Sequence, residues 1–316
     1  MPRIAAFFAV LLMTVLVACS APAAPPDPYA LTSNVLTTPW ERVQINVSVS
    51  LEGSEASVNI PPEAIELVVD REAGKGLFKL SLTDDMLGLE GEEADQLAII
   101  GGRLDLEVLF DGEALYARSP LAAMFGRLLL SQFGEVPEGD YSGWLRLGTK
   151  ADFDALEELM TAFAGDELPA DAPDFSDWAD LDPAELQQRL ESSGITLTHV
   201  ESAIHNGVAA EHVTVTVDFA ELADSPLFED ADASHFEDMV SADVNLTADI
   251  WIDKASGRPV EVSVNGTSSD PELSAFGVVL TFTEPDPSIT FDTPETFVDV
   301  PLSEMLSEFD PDDLEP

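Results

Sequence analysis

Cysteine is almost missing from this chain: Cys19 is the only one among 316 residues. No disulfide can form within the chain and no cysteine cluster can hold a metal, so stability must come from burial. Positive charge is nearly as scarce. Thirteen Lys and Arg face 61 Asp and Glu, a formal net charge of -48 at pH 7. Such a surface repels phosphate, which excludes nucleic acid as a partner and argues against binding anionic headgroups through their charge. Long apolar runs are absent after residue 18, so no later segment can cross a bilayer as a helix. The signatures of chemistry are thin as well. No serine sits in a nucleophile elbow, and the glycines of "GGRL" lack the Lys-Ser or Lys-Thr of a phosphate loop. His199, His205, His212 and His235 have neither helical ligand spacing nor neighbouring cysteines, and read as structural or surface groups. "EDADASHFED", Glu229 to Asp238, alternates carboxylates but lacks the mid-loop glycine and final glutamate of a calcium loop. No catalytic residue, cofactor or metal site is expected, and the chain reads as non-enzymatic.

What is present begins at the N-terminus. "MPRIAAFFAVLLMTVLVA" has one basic residue, Arg3, then an apolar run that ends in Leu16-Val17-Ala18 before Cys19. This is an export signal whose end resembles the lipobox of bacterial lipoproteins. The resemblance implies a signal peptide over 1–18, cleavage before Cys19, and acylation of that cysteine. Two or more acyl chains suffice for stable anchoring, which places the protein in the bacterial cell envelope, on a membrane surface or in the periplasm. Residues 19–39, rich in proline and alanine, read as a tether, and the fold is expected to start at Trp40.

From there, period-two alternation dominates. "ERVQINVSVSLEG" sets Val43, Ile45, Val47, Val49 and Leu51 against polar neighbours. The pattern recurs in hairpins turning at Ala73-Gly74-Lys75-Gly76, Asp111-Gly112, Asn206-Gly207 and Ala255-Ser256-Gly257, with further strands at "FGVVLTFTE" and "SITFD". Helical spacing interrupts it at 119–133, at 150–164, and at Pro183 to Ser192, where Asp182 and Glu185 form a capping box. One domain over 40–309 results, followed by an acidic tail, 310–316, expected to be disordered. The segment "SPLAAMFGRLLLSQFG" is apolar on nearly every side and too short to span a bilayer, so protein or ligand must enclose it. A curved antiparallel sheet can do so, leaving either a filled core or a cavity for an apolar ligand.

The order of lipobox, "EALYARSP" leading into the apolar helix, "YSGWLRL", "GVAAEHVTVTVD" and "ADIWIDKASGRPVEVSV" resembles the LppX and LprG type of bacterial lipoprotein, within the LolA and LolB superfamily. The resemblance implies an α+β fold, a strongly curved antiparallel half-barrel wrapped over central helices. It also implies that acyl lipids or glycolipids are carried in a hydrophobic cavity. The positions that match the family's cavity lining are Leu121, Met124, Phe125, Leu128 and Leu129, then Phe153, Leu156, Met160 and Phe163. The acidity departs from the family and argues against an anionic glycolipid. A second reading stays open at this point: a sensor or scaffold module that docks a protein partner through the acidic loops Asp84 to Asp95 and Asp224 to Asp238.

Overall fold

The computed structural model describes residues 25–38, 40–54, 57–89, 91, 102–122, 139–149, 181–223, 225, 243–271 and 273–300. Its frame is one sheet, curved and unclosed, of thirteen strands among the described residues. Two antiparallel hairpin runs build it. The first comprises β1 (Arg42–Glu52), β2 (Ser57–Ile60), β3 (Ile65–Asp70), β4 (Lys75–Thr83), β5 (Arg103–Phe110), β6 (Ala114–Arg118) and β7 (Trp144–Thr149). The second comprises β8 (Ile195–His205), β9 (Val208–Val217), β10 (Asn245–Asp253), β11 (Pro259–Thr267) and β12 (Ala275–Thr283). The runs join where β1 pairs with β12, and β13 (Phe297–Asp299) adds to β7 in parallel. The order across the sheet is β13-β7-β6-β5-β4-β3-β1-β12-β11-β10-β9-β8, with β2 on β1.

The turns form where the sequence places them. Asn206 and Gly207 both take positive φ, 49° and 81°, as a two-residue hairpin turn that follows the strand twist requires. Between β3 and β4 the turn is 71–74, and Lys75 already belongs to the ladder.

The α+β architecture expected from sequence is what the chain adopts, with two differences in detail. The fold begins before Trp40. Pro28–Thr37 is a helix, α1, opened by Asp27, whose carboxylate accepts from the Tyr29 N–H at 3.0 Å, with Pro28 fitting the first turn. Tyr29 drives this: its ring is buried with Leu186, Leu190, Leu197, Val213 and Ile252, so the second half of the expected tether is core. The other difference is "SITFD", which is no strand. Pro285, Pro287 and Pro294 remove ladder donors around it, and Ile289 and Phe291 instead plug the sheet over Val68, Leu109 and Tyr116. Arg42 donates to the Ile289 carbonyl at 2.5 Å and lies over the Phe291 ring, while Thr293 donates to Asp111 at 2.6 Å.

Two further short helices, α2 (Asp84–Leu87) and α4 (Phe219–Ala223), follow β4 and β9. Between α2 and α4 lies α3 (Pro183–Glu191), with its capping box formed as expected: the Asp182 carboxylate accepts from Ala184 and Glu185, and Glu185 returns the contact. Leu186 and Leu190 point into the core beside Tyr29.

Candidate functional site

Because side chains alternate, the strand register sorts every residue onto one of two faces. On the face that carries α1 and α3, here called inner, the register lines up rows across the sheet. One row runs Phe282, Ile45, Leu67, Phe78, Val108, Ala117, Leu145 and Val298 across eight strands. A second runs Val213, Ile250, Val262, Leu280 and Val47, and a third Val215, Ala248, Val264, Val278, Val49 and Ile60. None of these residues carries a charge or a hydroxyl. Three rows of this kind make an apolar floor spanning the sheet.

The floor is covered at its margins. At the β8–β10 end, α1 and α3 bury Leu197, Val213 and Ile252. At the β7 and β13 end, Tyr141, Leu145, Val298 and Val300 form a second cluster. Along the side, β2 and α2 close over Ile60, Ala64 and Leu82. The middle differs. Ile45, Val47, Leu67, Phe78, Val108, Val262, Val278, Leu280 and Phe282 are only half-buried and belong to none of these clusters among the described residues.

Of the residues matched to a cavity lining from sequence, Leu121 is described: it is half-buried, and its N–H meets the Ser119 hydroxyl at 3.3 Å. Met124, Phe125, Leu128, Leu129, Phe153, Leu156, Met160 and Phe163 lie outside the described residues, as do Cys19, all of Asp224 to Asp238 except Ser225, and the later part of Asp84 to Asp95. The flanks of the first apolar segment are nevertheless placed. Ala122, within that segment, and Tyr141, beyond its end, pack in the same inner-face cluster with Leu145 and Val298.

The outer face carries polar groups that sequence reading did not connect. Trp251 lies between His205 and His212, stacked at 4.1 and 4.2 Å between ring centroids. His212 reaches Asp249 at 2.8 Å and His205 reaches Glu261 at 3.1 Å. The signal lay in the register, since Trp251 stands opposite His212 on the neighbouring strand. On the inner face, where the register sets His199 opposite Val213 and Glu211 opposite Ile252, His199 contacts Glu211 at 2.8 Å, and Lys254 and Ser202 also converge there, each at 2.5 Å. Burial alone pushes the Glu211 carboxyl upward, but the Lys254 ammonium, the Ser202 hydroxyl and His199 outweigh it and hold its pKa at about 2. Farther along the outer face, over β3 to β6, lies a recess of about 800 Å³. Half of its fourteen lining residues are charged, so it is not a place for an acyl chain.

No family model matches the sequence, and no curated protein matches it. Solved structures do show likeness. The chain is similar to the lipoprotein LppX of Mycobacterium tuberculosis at 14% identity, over 84% of this chain and 100% of that one, with a TM-score of 0.36. It is similar to LprF of Mycobacterium bovis at 14% identity, over 86% and 99% of the two chains, with a TM-score of 0.38. A putative outer membrane lipoprotein-sorting protein domain from Vibrio parahaemolyticus matches at 8% identity, over 81% and 88%, with a TM-score of 0.20.

Proposed function

We propose that this protein is a lipoprotein of the bacterial envelope, anchored through Cys19, that binds acyl lipids against the inner face of its sheet and hands them on. The observation that carries the reading is the middle of the apolar floor, half-buried between margins that are closed. A surface of that extent is not left to water in a monomer; it is met by apolar chain or by apolar ligand. An acyl chain laid along it gains about 0.8 kcal/mol per buried methylene, enough over a dozen methylenes to hold lipid through purification. The chemistry is binding and release, with no bond made or broken. The charge argues for a neutral or zwitterionic cargo. The apolar residues in segments 119–133 and 150–164 have the chemistry that the rest of such an enclosure needs.

The test is direct. The chain from Ser20 onward, purified without detergent, is weighed by native and denaturing mass spectrometry and then extracted for lipid. A stoichiometric extra mass that matches an acyl lipid, lost in Phe78→Asp while the strand signal in circular dichroism persists, is the expected result. A clean apo mass that stays unchanged after incubation with cell-derived lipids overturns the proposal.

A further inference from the structure

The outer recess is built differently from the rest of that face. Its floor is a row in strict register: Glu66 on β3, Lys79 on β4, Glu107 on β5 and Arg118 on β6, each opposite the next. Lys79 bonds Glu66 at 3.0 Å, and Arg118 bonds Glu107. The row alternates in sign across four strands and spans ~14 Å at the usual strand separation. A second row beside it links Ser81, Asp105 and Arg103 through contacts of 2.6 Å. Loop residues Glu63, Ser119 and Ser142 also line the recess. At one end the Arg118 guanidinium covers the Trp144 ring at 4.9 Å.

Cross-strand ion pairs stabilise a sheet wherever they occur and need no recess around them. A recess of about 800 Å³ over such a row is a ligand-sized space whose floor alternates strong donors and strong acceptors. A simple anion there meets four carboxylates, in a chain of net charge -48, and a simple cation meets Lys79, Arg103 and Arg118. The ligand that matches is uncharged and has groups that both donate and accept along its length. Sugar hydroxyls do so: each can give its proton to a carboxylate and accept from an ammonium, a guanidinium or a serine.

We propose that the outer recess over β3 to β6 binds neutral carbohydrate, as a short oligosaccharide lying along the alternating row. The site is separate from the apolar floor, which lies on the opposite face of the same strands, so it stands or falls independently of lipid binding.

The full-length lipidated protein, held in a non-glycosidic detergent, is titrated with cellotriose, maltotriose and chitotriose by saturation-transfer NMR and calorimetry. Glycerophosphocholine serves as the zwitterionic probe and inorganic phosphate as the anionic one. Saturable binding of at least one trisaccharide is expected, weakened at least tenfold by Glu107→Gln with Arg118→Gln. The single variant Glu66→Gln, which removes one partly buried pair, is expected to weaken binding several-fold and covers the case in which the double variant does not fold. In the unmodified protein the Trp144 indole resonance should shift on titration. No saturation with any sugar, tighter binding of phosphate or glycerophosphocholine than of every sugar, or sugar binding indifferent to these variants overturns the proposal.

Discussion

Two stretches of the same inner face invite comparison. Around Tyr29, the residues Leu186, Leu197, Val213 and Ile252 are all nearly inaccessible to solvent. In the middle of the sheet, Ile45, Leu67, Phe78 and Val108 are equally apolar and equally well aligned, yet half-buried. The strands do not differ in kind between these regions; the cover does. Two capped helices close the first, α1 through Tyr29 and α3 through Leu186 and Leu190, whereas the second has no buried cluster of its own among the described residues. An alternating strand therefore states that one face avoids water, and leaves to other elements whether chain or cargo does the covering.

Leu186→Ala should have the largest effect. Leu186 is completely buried, and removing a leucine side chain from such a site costs ~2–5 kcal/mol. The loss should appear in denaturant melts of lipid-loaded and delipidated protein alike, since the cluster it belongs to is filled by the chain itself.

The pH response sharpens the same region. Glu211 is held at about 2 against an ordinary value of 4.5, so its folded-state affinity for a proton is lower than in the unfolded chain. Its contribution is fully present above pH ~4.5 and is lost as pH falls toward 2. Because the partner Lys254 is about half exposed, solvent screening reduces the effect to the order of 2 kcal/mol. Chemical melts of the wild type from pH 6 to pH 3 should show somewhat more than half of this loss, and Glu211→Gln should flatten that part of the profile. An unchanged profile in the variant would remove Glu211 from the account.

Tyr29→Phe comes next. The Tyr29 hydroxyl donates to Glu191 at 2.9 Å and accepts from the Leu197 N–H at 3.3 Å. Leu197 lies on β8, the strand at one end of the sheet, so α1 also shields part of an edge that would otherwise stand open. Losing both bonds while keeping the ring should cost ~1 kcal/mol in the same melts. A cost near zero would mean that water replaces the hydroxyl there.

Much of this was legible beforehand. Alternation gave the strands, the Asn206-Gly207 and Asp111-Gly112 pairs gave their turns, and Asp182 with Glu185 gave the start of α3, because each is a local signal with a local cause. What was not legible depends on partners far along the chain. Tyr29 follows a proline-rich stretch that reads as linker, and only its burial against residues far along the chain, from Leu186 to Ile252, makes the segment a helix of the fold. Ile289 and Phe291 alternate like a strand but find their place on the outer face, through side chains instead of a backbone ladder. The row from Glu66 to Arg118 and the stack around Trp251 exist only once register is known. Sequence indicated an apolar surface, and the register showed which strand residues compose the apolar floor on which the lipid proposal rests.

The smallest expected effect on stability decides most about function. Phe78 sits mid-floor, in line with Leu67 and Val108. If cargo and not chain covers it, truncation in delipidated protein removes little contact, and Phe78→Ala should cost ~1 kcal/mol or less, well below a filled-core phenylalanine at ~3–5 kcal/mol. The lipid-loaded protein should tell a different story, because a ligand stabilises the fold only as far as its affinity allows. There the variant should retain less lipid through purification and lose most of the stabilisation that added lipid confers on the wild type. Equal, large losses with and without lipid would make the middle of the floor an ordinary core, like the cluster around Tyr29, and the comparison between the two regions would collapse.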